Sequence, residues 1–305
     1  MKEHTTPGRS PIAVDLGARA SENTVALDGT EVHYWDYAPV AWTPASRTIV
    51  MVHGFRGDHH GLERVVEALP GMRVVMPDLP GFGASAAFID RSHDVDSYGD
   101  FLASFLDALA LGRDTVLLGH SFGSIVASHF VATHPGRVHP LILVNPIAAP
   151  ALEGPKGGMT KLAVFYYWAA AKLPAPLGNA LLRSRLIVQV MSVTMAKTKD
   201  KDLLAFIHGQ HQAYFSSFSD RDMLLESFRA SVSGTVREVA DHLDLPVLLI
   251  AGAEDEIATL PNQHKLLPLL PLGELVVIDG VGHLIHYETP QPAADAIADF
   301  LERHP

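Results

Sequence analysis

Short runs of aliphatic and β-branched residues recur at 48–52, 74–76, 116–118, 141–144, 247–250 and 275–278, each closed within two residues by glycine, proline, asparagine or aspartate. Apolar runs of this length predict strands buried on both faces. Between most of them, at 62–69, 98–111, 125–133 and 293–301, apolar positions recur at helical spacing. Strand alternating with helix predicts an α/β protein with a mostly parallel sheet covered on both sides. Two further runs, 24–27 and 31–37, flank Asp28-Gly29, a hairpin signal that adds antiparallel strands at the start and brings the total to eight. The alternation breaks once. From 147 to 242 no strand pattern appears, and the segment is instead helical and rich in aromatic and methionine side chains, among them Phe165, Trp168, Met191, Met195, Tyr214 and Phe228. The expected division is a loose leader over 1–22, a sheet domain formed by 23–146 and 243–305, and a helical insertion over 147–242 following the sixth strand.

Composition narrows the function. Hydrophobic residues make up 48% and charged residues 19%, which describes a globular chain with a sizeable core. The net charge of −11 argues against nucleic acid or an anionic membrane surface as partner, since either calls for a concentrated basic face. Without a single cysteine there is no disulfide, thiol nucleophile or cysteine-ligated metal. The first 15 residues lack the uninterrupted apolar stretch of a secretion signal, and the most apolar internal run, 162–171, is too short to span a bilayer. These features predict a cytoplasmic protein.

The densest chemical signal is Gly119-His120-Ser121-Phe122-Gly123, placed directly between a strand run and a helical run. A serine on so sharp a turn needs small residues two positions away on either side, and its following N–H opens a helix, where partial positive charge favours an oxyanion. On these residues the sequence resembles the α/β-hydrolase superfamily, specifically its serine members with a helical cap, from about Val25 onward.

The resemblance implies roles for the other motifs in turn. His53-Gly54-Phe55 is similar to the family's oxyanion loop, so the N–H groups of Phe55 and Phe122 would hold the oxyanion. Asp78-Leu79-Pro80-Gly81-Phe82-Gly83-Ala84-Ser85 resembles a structural turn of the family. Ser121 would be the nucleophile, and His283, in Gly280-Val281-Gly282-His283 after the last strand run, its general base, with His286 the competing histidine. Asp255 occupies the place of the family's acid, flanked by Glu254 and Glu256, which sequence leaves open; Asn145, where some relatives carry the acid, has no carboxylate. Arg56, Asp58, His59 and His60 depart from the family pattern and are expected to form a solvated loop, the alternative being a polar or cationic contact near the pocket mouth. Neither His59-His60 nor the pair His208 and His211 has the spacing of a metal site, so no metal or cofactor is expected.

What the resemblance implies is hydrolysis, through an acyl-enzyme, of a small apolar ester-like substrate: a carboxylic ester with a hydrophobic portion. Carbon–carbon hydrolysis of a ring-cleavage product and lactone hydrolysis use the same triad in relatives. A ligand-binding receptor on the same fold is the non-enzymatic alternative.

Overall fold

The computed structural model describes residues 16–43, 46–150 and 157–305. A helical turn, α1 (Leu16–Arg19), leads into strand β1 (Ala20–Leu27), so the leader expected through residue 22 ends earlier; residues 1–15 lie outside the described residues. Arg19 pins this start, its guanidinium donating to the carbonyls of Ala38 and Val66. Asp28 and Gly29 both take positive φ, the turn whose twist matches an antiparallel pair, and β2 (Thr30–Tyr37) returns against β1 with Leu27 facing Thr30.

From there strands and helices alternate: β3 (Thr48–Val52), α2 (Glu63–Glu67), β4 (Arg73–Pro77), α3 (Val95–Ala108), β5 (Val116–His120), α4 (Phe122–Thr133) and β6 (Leu141–Val144). Among the described residues five α-helices follow without a strand: α5 (Gly157–Lys172), α6 (Ala175–Leu182), α7 (Arg185–Met195), α8 (Lys201–Tyr214) and α9 (Arg221–Ser233). The chain then rejoins the sheet as β7 (Val247–Gly252), α10 (Leu260–Leu266), β8 (Gly273–Ile278), α11 (Ile285–Glu288) and α12 (Pro290–Arg303). The eight strands form one sheet in the order β1-β2-β4-β3-β5-β6-β7-β8, with β2 antiparallel to both of its neighbours, β1 and β4, and every other pair parallel. Among the described residues no helix is long and apolar enough to cross a membrane.

Strand periodicity divides the core in two. Val50, Leu117, Leu143 and Leu249 point to the face covered by α3 and α4, where α5, α6, α9 and α10 join the same apolar cluster. Their neighbours Ile49, Leu118, Ile142 and Leu248 point to the face covered by α2 and α12. Burial on both faces explains why the central strands read as unbroken apolar runs. The edge strand β8 is the exception, only half-buried until Ile278.

Candidate active site

In a parallel sheet the loops leaving the strand ends meet along one edge, and here the chemistry-bearing residues all follow strand C-termini: Phe55 after β3, Ser121 after β5, Asp255 after β7 and His283 after β8. Ser121 has φ +53° and ψ −117°, a left-handed conformation that a non-glycine residue holds only when its surroundings impose it. They do so by close packing. A Cβ on Gly119 would run into the carbonyl of Gly123, and one on Gly123 into the carbonyl of Val52. Glycine at both positions therefore lets α4 start hard against β3 and β5, lifting the serine above the sheet.

Three of the expected residues come together in a relay. His283 Nε2 lies 2.8 Å from Ser121 Oγ, and His283 Nδ1 lies 2.8 Å from Asp255 Oδ2. The Asp255 side chain is fully buried. Burial by itself would raise its pKa, but the charge and hydrogen bond of His283, with the amides of Ile257 and Ala258 donating to Oδ1, outweigh it and hold the carboxyl below the usual range. An ionised carboxylate only accepts, so Nδ1 carries the imidazole proton and the Nε2 lone pair faces the serine hydroxyl. Such an arrangement can take a proton from Oγ and stabilise the imidazolium that results.

The neighbouring acids and histidines go elsewhere. Glu256 is exposed and pairs with Lys197 at 3.4 Å, and Glu254 is likewise exposed. His286 packs edge-on against His120, with ring centroids 4.2 Å apart, and His120 Nε2 donates to the backbone carbonyl of His283. The Phe55 amide follows Gly54, where an added Cβ would lie 3.2 Å from that of Ser121; the Phe122 amide opens α4. Neither amide has an acceptor among the described residues, so both are free to donate into the site. His53 braces this loop in a fixed tautomer, Nδ1 donating to Gly54 O and Nε2 accepting from the Leu79 amide.

Several positioning residues were not singled out from the sequence for this part. Asn145, at φ +45°, accepts from the Gly252 amide and donates to the carbonyls of Gly282 and His283, tying the acid strand to the histidine loop. The one sequence signal for it is a polar residue closing an apolar strand.

Arg56, Asp58 and His59 overturn the expectation of a solvated loop: each is at most 4% exposed. Arg56 adopts φ +62° and drives its guanidinium into the inserted helices, donating to Phe215 O (2.9 Å), Leu182 O (2.8 Å) and Tyr167 Oη (3.3 Å). Asp78 accepts from the amide and Nδ1 of His59 and from the amide of Ala84, consistent with a structural turn. The rings of Trp35, His59, His60 and Tyr214 stack in one column from β2 to α8. Asp58, His59 and His60 bring their ligand atoms within 4.8 Å of one another, but the Nδ1 of His59 is engaged by Asp78 and that of His60 by Asp58.

Arg56→Ala would leave two buried carbonyls unpaired, at about 1.5–3 kcal/mol for each charge-assisted bond lost. Chemical denaturation is expected to show a drop of about 3 kcal/mol or more. Arg56→Lys should recover little of it, because a lysine cannot present a planar fork to two separated acceptors; full recovery would contradict this role.

A cavity of about 250 Å³ opens over Ser121. Met191, Met195, Tyr214, Phe215 and Phe228 of the insertion form its roof and Phe55, Leu62 and Ile147 part of its floor. Among the described residues its lining includes no lysine or arginine. Three lining histidines are buried and held neutral: burial pushes His120 down to about 3, with His283 adding to the effect, and lowers His286 and His53 as well.

These histidines also predict acid sensitivity. Their folded pKa values lie below the unfolded value of 6.5, so below that pH the unfolded chain binds protons that the fold refuses. For His120, held at about 3, stability should fall by about 1.4 kcal/mol per pH unit below 6.5, and the lowered His286 and His53 act in the same direction. The urea midpoint is expected to drop steeply from about pH 6.5 to about pH 5; a flat profile there would contradict the neutral assignment.

Residues 47–290 match the family model described as alpha/beta hydrolase fold. The chain is 27% identical over 304 residues to the 2-hydroxy-6-oxononadienedioate/2-hydroxy-6-oxononatrienedioate hydrolase 2 of Pseudomonas putida, covering 93% of this chain and 95% of that protein. It is 27% identical over 264 residues to the pimeloyl-[acyl-carrier protein] methyl ester esterase of Neisseria meningitidis, covering 85% and 94%. Among solved structures, the enol-lactonase of Burkholderia xenovorans LB400 shares the fold with a TM-score of 0.74 at 20% identity, over 92% of this chain and all of that one.

Proposed function

This chain belongs to the alpha/beta hydrolase fold family and is a hydrolase, and from that premise we propose that it cleaves a carboxylic ester with an uncharged, apolar portion through an acyl-enzyme. The supporting observation is the continuous relay Asp255–His283–Ser121, with both links at 2.8 Å. In this reading Ser121 Oγ attacks the ester carbonyl carbon as His283 Nε2 removes its proton. The amides of Phe55 and Phe122 hold the oxyanion, worth about 10²–10³ in rate for each donor. His283 then protonates the departing alkoxide, leaving an acyl ester on Ser121. Water attacks that ester, giving its proton to Nε2; the proton returns to Oγ as the carboxylic acid leaves. Asp255 keeps the tautomer throughout. The sheet domain, 23–146 and 243–305, would carry this machinery, and the insertion over 147–242 would shape the substrate.

Carbon–carbon hydrolysis is the second reading, favoured by the name of the Pseudomonas putida relative. A dioate carries two carboxylates, and a buried carboxylate needs a cation or several donors. Among the described residues no lysine or arginine lines the cavity, and its neutral histidines supply no fixed charge, which favours an uncharged ester.

A panel of p-nitrophenyl esters of rising chain length, with a vinylogous diketone carboxylate alongside, tests the choice. The expected result is efficient ester turnover, with kcat/KM rising with acyl length until the cavity is full, and little cleavage of the diketone. Faster diketone cleavage would replace the ester reading by the second.

A further inference from the structure

The inserted helices show an inverted amphipathicity. On α7 the exposed positions Leu186, Val190 and Val193 recur at i, i+4 and i+7, and all are apolar and more than half exposed. The opposite side of the same helix buries Val188 and the hydroxyl of Ser192. On α5, Lys161, Phe165, Trp168 and Lys172 line one stripe at the same spacing, with Leu162 beside it; Leu162 is 66% and Phe165 59% exposed. Leu177 of α6 is exposed to a similar degree. Single exposed apolar residues are ordinary, but apolar stripes on the outer faces of consecutive helices mark an interaction surface.

The charge of the segment indicates the partner. Between Gly157 and Lys199 there is no aspartate or glutamate, and there are six cations: Lys161, Lys172, Arg183, Arg185, Lys197 and Lys199. The whole chain carries −11, so its acidity lies outside these helices. Not every cation is available, since Lys197 pairs with Glu256 and Arg183 donates to the carbonyl of Phe218. Lys161, Lys172, Arg185 and Lys199 are exposed.

We propose that the outer face of α5–α7 docks on an anionic lipid surface, with the apolar stripes entering the headgroup boundary and the lysines and arginines meeting lipid phosphates. Helices that lie in a membrane interface combine basic residues with exposed aromatic and aliphatic side chains in this way. A second copy of the chain fits less well, because a two-fold contact would set this anion-free surface against itself. The net acidity that argues against an anionic surface averages over the chain and hides this local excess. Docking would also bring the cavity close to lipid, since α7 carries Met191 and Met195 into its lining.

Cosedimentation with vesicles of phosphatidylcholine alone and of equimolar phosphatidylcholine and phosphatidylglycerol tests the proposal without reference to catalysis. The protein is expected to partition onto the anionic vesicles, to be released by salt, and to shift its tryptophan emission to shorter wavelength, a shift lost in Trp168→Phe. Each cation removed should lower partition about fivefold, so that Lys161→Gln with Lys172→Gln lowers it about 25-fold. Val190→Glu with Val193→Glu should abolish it. Unchanged thermal midpoints would show that these surface variants remain folded. Equal binding to both vesicle types, undiminished binding by the folded variants, or self-association through the same residues without vesicle binding would each overturn it.

Discussion

Ser121→Ala is expected to lower kcat by about 10⁵–10⁶-fold with KM little changed, and to abolish labelling by a fluorophosphonate. Alanine keeps a Cβ, so the turn at φ +53° and the packing of Gly119 and Gly123 around it are undisturbed. The variant should therefore fold, and it should bind substrate in the same cavity. What it loses is the one hydroxyl within 2.8 Å of His283 Nε2. Parallel loss of labelling in His283→Ala would show that the serine depends on that imidazole. Turnover within about tenfold of wild type in a folded Ser121→Ala protein would remove the acyl-enzyme mechanism.

Asp255→Asn should cost about 10⁴ in kcat, for a reason that geometry makes specific. Oδ1 of Asp255 accepts from the amides of Ile257 and Ala258, so an asparagine would keep its carbonyl oxygen there and turn its NH₂ toward His283. Two donors cannot face each other, so Nδ1 would lose its proton and Nε2 would gain one. The imidazole would then present a proton to Ser121 where it must accept one. Glu254→Gln and Glu256→Gln should stay close to wild type, because neither carboxylate lies in the relay. A large loss in Glu254→Gln with Asp255→Asn unaffected, measured on the same ester, would move the acid.

Apolar runs made the sheet legible. A strand buried on both faces has to be hydrophobic at every position, and β3 and β6 span the residues that the sequence pattern predicts. β8 was read from the same kind of run, but its expected burial on both faces was not met, because an edge strand is half-exposed. The glycines around Ser121 were equally readable, because what demands them is local: a backbone carbonyl stands where a side chain would otherwise be.

Arg56 is the opposite case. In sequence it is a charged residue in a polar loop, and nothing local says that it is 1% exposed. Its acceptors at Leu182 and Phe215 lie more than a hundred residues downstream, in helices whose position only the fold supplies. The aromatic and methionine residues of the insertion make the same point: helical spacing places Trp168, Met191 and Phe228 on helices, but the packing of those helices leaves Trp168 in solvent and turns the other two into the cavity.

The amino-acid sequence alone determined the order of strands and helices, the tight bend carrying Ser121, and the short set of acids and imidazoles able to serve it, because each follows from periodicity or from steric demands within a few residues. Only the tertiary structure set the carboxylate of Asp255, among the three neighbouring acids, against His283, turned Asn145 into a clasp, and exposed a cationic apolar face on a chain whose net charge is negative. Those outcomes depend on distances between segments far apart in the chain. Such distances are set by how two layers of helices pack on one twisted sheet, and residue spacing carries no record of them.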